Sequence, residues 1–108
     1  MDREQVIAIV RQYEKHGWTL RRLLLSDLLY HRSSELGFVD VPVVKFEIDA
    51  AWFSRSSVPG REAWELRTLG EPPFAVLDVI EANDSDAVKE EKLARTEQKL
   101  LASRRQEI

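Results

Sequence analysis

The stretch that decides the fold is residues 43–80, VVKFEIDAAWFSRSSVPGREAWELRTLGEPPFAVLDVI. Within it Val44, Phe46, Ile48, Ala50 and Trp52 alternate with Lys45, Glu47, Asp49, Ala51 and Phe53. A period of two marks a strand with one buried face, and here it predicts one long strand from Val43 to about Arg55. Ser56 to Gly60 reads as a turn, with Pro59-Gly60 in the order a type II turn prefers. A second strand, Glu62 to Leu69, sets Trp64 and Leu66 on one side and Ala63, Glu65 and Arg67 on the other. Gly70-Glu71-Pro72-Pro73 ends it, because proline has no amide hydrogen to give a ladder. The third strand, Phe74 to Ile80, is almost wholly apolar, which predicts a central strand or one covered on both faces.

Upstream, Asp2 and Gln5 have the spacing of a capping box, and Val6, Ile9, Val10 and Tyr13 fall on one helical face. A helix is predicted from Arg3 to His16, stopped by Gly17 at the left-handed position past its end. Trp18 to Ser26 fits two templates. As a strand, Leu20 and Leu24 share a face with Trp18, against Thr19, Arg21, Leu23 and Leu25; as a helix, Leu20, Leu23, Leu24 and Leu28 form a stripe. The fresh start after Gly17 favours the strand. Ser26 or Asp27 then caps a short helix, and residues 33–40 read as a surface connection. Downstream, the polar hinge 83–86 offers N-caps for a helix over 87–104, with acids early and Lys99, Arg104 and Arg105 late, as the helix dipole prefers. The implied architecture is α+β: an N-terminal helix, a three- to four-stranded antiparallel meander and a C-terminal helix. With both helices on one sheet face it is a two-layer sandwich.

One domain fills 108 residues. Apolar residues at 44%, charged residues at 32% and a net charge of −3 describe an ordinary, mildly acidic globular chain. That charge disfavours nucleic acid as a partner, since phosphate binding needs a basic face. The chain has no cysteine, which removes disulfides, thiolate metal sites and a cysteine nucleophile. The N-terminus lacks a basic region ahead of a signal-length apolar core. Apolar runs such as Leu23-Leu24-Leu25 fall far short of the ~20 residues that span a bilayer. The expected setting is cytoplasmic, with no membrane partner.

For Trp52 and Trp64 to share a face, the hairpin must set Phe53 opposite Glu65 and Ala51 opposite Arg67, because a one-residue slip inverts a strand. Asp49 then lies diagonal to Arg67, and Arg55 diagonal to Glu65. The simplest account of these two acids and two bases is mutual neutralisation on a solvated face. A sharper one follows from Asp49 with Glu65-x-Arg67, which resembles the acidic pair and following base of the PD-(D/E)xK nuclease superfamily, arginine standing where that family has lysine. The resemblance spans about twenty residues and implies strand carboxylates that hold a water-activating metal. Asp78, within the apolar third strand, is expected to face the same open side and pair with an arginine; in a pocket it would be the best acid/base candidate. His16 and His31 have no ligand cluster around them in the sequence, and no metal or cofactor is expected.

Two functional readings follow. The first is a non-enzymatic protein-interaction or self-associating module, possible as a homodimer, whose C-terminal helix offers Leu93, Leu100 and Leu101 to a partner. The alternative is a small enzyme or ligand-binding domain on the sheet face around Asp49, Glu65, Arg67 and Asp78.

Overall fold

A computed structural model describes residues 3–70 and 73–106, with side chains of the last helix through Ser103. The expected capping residue Asp2, the Glu71-Pro72 pair and the side chains of Arg104 and Arg105 lie outside the described residues. In chain order come α1 (Arg3–Lys15), β1 (Thr19–Leu25), α2 (Asp27–Tyr30), a 3-10 turn (Ser33–Leu36), β2 (Val43–Lys45), β3 (Ala50–Ser56), β4 (Arg61–Thr68), β5 (Ala75–Glu81) and α3 (Asp86–Gln106). The class is α+β, as expected, but the sheet is not a meander of three or four antiparallel strands. It has five strands in the order β2-β1-β3-β4-β5, with β2 parallel to β1 and every other pair antiparallel. No described helix is long and apolar enough to cross a membrane.

The local signals produce the expected elements. Gly17 adopts φ 87°, and the amides of Gly17 and Trp18 bond the carbonyls of Glu14 and Tyr13 at 3.0 Å each. These are the two bonds of a Schellman stop, and glycine enters the left-handed region without a Cβ penalty. Gly60, at φ 83°, closes the β3–β4 turn with the Arg61 amide on the Val58 carbonyl at 3.0 Å. The hairpin takes the expected register, Phe53 opposite Glu65 and Ala51 opposite Arg67. Trp52 and Trp64 are buried together, edge to face at 6.0 Å. Ser85 caps α3, its Oγ accepting from the Val88 amide at 3.2 Å.

Three expectations are corrected. The single strand from Val43 to Arg55 is two strands, β2 and β3, on either side of β1. Residues 46–49 carry the chain past the end of β1, and Asp49 Oδ1 pins that corner by accepting from the Ser26 amide (2.8 Å) and hydroxyl (2.9 Å). Phe46 and Ile48 turn into the core during the crossing, so the alternation persists through a segment that is not a strand. The helices, moreover, lie on opposite faces. Val6 and Val10 of α1 pack on Leu20, Leu23, Leu25, Ala51 and Phe53; Leu93 and Leu100 of α3 pack on Leu24, Ala50, Trp52, Trp64, Leu66 and Ile80. Finally, β5 is an edge strand, not a central one.

β1 is the strand that Gly17 favoured, with a twist in its faces. The pairing with β3 shifts between Leu20 and Arg22, so Arg21 is the extra residue of a β-bulge. The bulge brings Leu20 and Leu23, three apart, to the same side beneath α1. That three-residue spacing is what made the segment imitate a helix.

Candidate functional site

The charged residues singled out in the sequence are separated. Asp49 sits at the corner just before β3, committed to Ser26, in a depression of about 240 Å³ that it shares with Glu47, Ile48, Thr68 and Gly70. Glu65 lies on the α1 side of β4, where Tyr13 donates its hydroxyl to Glu65 Oε2. The Tyr13 ring stacks on Phe53 at 4.0 Å. Burial, and then the Glu65 carboxylate, hold the Tyr13 phenol protonated well above the ordinary tyrosine range. Arg67 turns its guanidinium to the carbonyl of Thr68. Arg55 covers the Trp18 ring at 4.6 Å and reaches the carbonyl of His16 at 3.3 Å. Among the described residues no ion pair joins two of these four.

Asp49 lies four residues along the sheet from the position opposite Glu65, a span of roughly 13 Å at strand rise. Asp78 is not on their side. It pairs with Trp64 on the α3 face, and no arginine holds it. Its Oδ2 accepts from the Thr96 hydroxyl at 2.8 Å, and its Oδ1 from the Val79 amide at 2.8 Å. Sequence spacing could not place Asp78, because its face depends on the register of β5 against β4, which sets Asp78 opposite Trp64. No group of three or more His, Asp or Glu side chains is arranged to hold a metal among the described residues.

The leucines assigned to an interface are covered by the chain itself. Leu93 and Leu100 are 0% exposed, and Leu101 is buried with them. Their stripe is sealed by the tryptophan face of the sheet and by the Trp52 indole, which donates to Glu97 at 2.9 Å. Buried in this way, none of the three is open to a partner.

One surface left open is β5. On the α1 side, no residue of β4 or β5 joins the core beneath α1, so Leu77 (58% exposed), Val79 (41%) and Ala75 face solvent there. The backbone of the same strand is open along half its outer edge. The Thr68 amide bonds the Phe74 carbonyl at 2.9 Å, and the Ala82 amide bonds the Gly60 carbonyl at 2.7 Å. Even-numbered residues of β5 therefore turn their amides and carbonyls to β4, and odd-numbered ones turn theirs outward.

The far half of that edge is closed by side chains. Asp78 takes the Val79 amide, Lys92 Nζ reaches the Val79 carbonyl at 3.3 Å, and Asp84 Oδ2 takes the Glu81 amide at 3.0 Å. Lys92 and Asp84 are themselves bonded at 2.7 Å. That bond, with the Glu81 amide, holds the Asp84 carboxyl below the usual carboxylate range and raises the Lys92 ammonium. At the other end stands Pro73, which has no amide hydrogen. Between these stops the outward groups of Ala75 and Leu77 find no hydrogen-bond partner among the described residues.

The signals of this edge were present in the sequence. Pro72-Pro73 before the strand and Asp78 inside it are both marks of an edge, and the apolar run outweighed them. Comparisons with protein-family models, curated proteins and solved structures give no match.

Proposed function

We propose that this chain is a non-enzymatic protein-interaction module that takes up an extended strand of its partner along β5. The observation that supports it is the free backbone of Ala75 and Leu77, framed by Pro73 and the capped Val79, beside the exposed Leu77 and Val79 side chains. An added strand would satisfy main-chain donors and acceptors while apolar side chains cover Leu77 and Val79, the division of labour found in β-augmentation. Unmanaged edges invite indiscriminate pairing. Here the side chains of Asp78, Asp84 and Lys92 close one half and leave the other open, which confines pairing to a short, defined stretch.

The separation of Asp49, Glu65 and Asp78 gives the enzymatic alternative no common centre, and the interaction reading needs none. Amide hydrogen exchange tests it. The protein is titrated with extended peptides of alternating apolar and polar residues and with a peptide of residues 73–81. The amides of Ala75 and Leu77 should slow at least tenfold while distant surface amides do not, and Leu77→Lys should abolish the effect. Absence of protection with every peptide overturns the reading.

A further inference from the structure

We infer that the strand received by β5 is the β5 of a second copy, antiparallel, with a two-fold axis through Val76 that sets Ala75 opposite Leu77 of the other chain. This rests on the reading of β5 as a strand-accepting edge and names its occupant. The argument is one of registers. A symmetric antiparallel pairing that joins outward-facing residues of this stretch places its axis on Ala75, Val76, Leu77 or Asp78.

An axis on Asp78 opposes two like carboxylates and pairs Leu77 with Val79, whose amide and carbonyl are already held by Asp78 and Lys92. An axis on Leu77 sets Ala75 against the same occupied Val79. An axis on Ala75 sets Leu77 against Pro73, which has no amide hydrogen for the free Leu77 carbonyl, so only the axis on Val76 joins free groups to free groups throughout. Ala75 and Leu77 then exchange both amide–carbonyl bonds with their counterparts, and the symmetry repeats the exchange.

The ends of this ladder match as well. The next pair outward is Pro73 with Val79 of the other copy. Pro73 offers no amide hydrogen, and the Val79 carbonyl it would have served already accepts from Lys92. The ladder therefore stops at both ends without stranding a group that it could have satisfied. Side chains follow the backbone. On the open face Pro73, Ala75, Leu77 and Val79 of one copy would lie across Val79, Leu77, Ala75 and Pro73 of the other, an apolar stripe with no charge in it. On the α3 face Val76 meets its own symmetry mate. Two five-stranded sheets become one continuous sheet. The pairing is short, below the area of a standard stable interface, so the dimer forms with rising concentration rather than permanently.

The absence of cysteine in the chain allows a clean cross-linking test. In this register Val76 faces Val76 as a non-hydrogen-bonded pair, whose Cα separation of about 4.5 Å suits a disulfide. Val76→Cys should give a disulfide-linked dimer under mild oxidation at least tenfold faster than Leu77→Cys, each checked for native circular dichroism. If Val76→Cys fails to fold, a mixture of the exposed-site variants Ala75→Cys and Leu77→Cys should cross-link to each other faster than either does to itself. Faster homodimers from Leu77→Cys overturn the register. No cross-link in any variant, with peptide protection of Ala75 and Leu77 retained, overturns the second copy and leaves the strand-accepting edge standing. Loss of both sinks the edge reading too.

Discussion

Strands β1 and β3 are covered on both faces, whereas β5 carries α3 on one face and solvent on the other, with β4 half-covered between them. In β3, Ala50, Ala51, Trp52 and Phe53 are all 0% exposed. In β5, residues just as apolar divide by parity: Ile80 is buried, while Leu77 and Val79 are open. Apolar alternation therefore has no fixed meaning. It makes a core where a helix lands on both sides and an exposed apolar face where a helix lands on one. The two edges of the sheet differ in the same spirit. β2 has three residues, follows Pro42 and exposes Lys45, all devices that discourage a further strand. β5 has seven residues and is closed along only part of its length.

The most disruptive way to probe this contrast is Leu93→Glu with Leu100→Glu. Both side chains are fully buried under the covered face, so two unpaired carboxylates should abolish the cooperative thermal transition instead of yielding a folded monomer. A folded variant by circular dichroism would mean that α3 is not the seal it is taken to be. Trp64→Ala and Leu77→Ala then compare opposite faces of neighbouring strands. The first should cost about 3–5 kcal/mol in urea unfolding as a large-to-small core change. The second should stay within about 0.5 kcal/mol as a surface change. Similar losses from the two would erase the distinction between the faces.

Asp78→Ala works on the boundary between the closed and open parts of the edge. It strips the Val79 amide and the Thr96 hydroxyl of their acceptor, for a loss of about 1–3 kcal/mol. It also lengthens the free edge, so sedimentation should show stronger association than wild type. Weaker association would contradict the capping role.

Tyr13→Phe should cost about 1 kcal/mol for one hydrogen bond, and its sign with pH is specific. Tyr13 is raised above its ordinary 10.0 in the folded chain, so the unfolded chain sheds that proton first. The stabilisation is complete below pH 10 and drains away as the pH rises through the folded value. Unfolding free energies measured on either side of pH 10 should fall more steeply for wild type than for Tyr13→Phe. Parallel slopes would remove the buried phenol as the cause.

Much of this was legible in the residues. The helix stripe from Val6 to Tyr13, the stop at Gly17, the turn at Pro59-Gly60 and the hairpin register all follow from periods and φ preferences that act over a few neighbours. The candidate site was less so. Asp49, Glu65 and Asp78 looked like companions because strand alternation fixes a face only once the strands are known. The split of β2 from β3 and the register of β5 against β4 changed that premise. The Arg21 bulge is similar, since an extra residue inverts a strand's faces without leaving a mark in hydrophobicity.

The sequence by itself determined where the chain turns, which tryptophans meet and how β3 pairs with β4. Those outcomes depend on contacts a short loop apart, whose closure requires little entropy. Tertiary structure alone decided that residues 46–49 cross the end of β1, that α1 and α3 take opposite faces, and that Ala75 and Leu77 are left at an open edge. Each depends on burial between segments distant in the chain, where several arrangements satisfy the same local pattern and the best total coverage of apolar surface selects one.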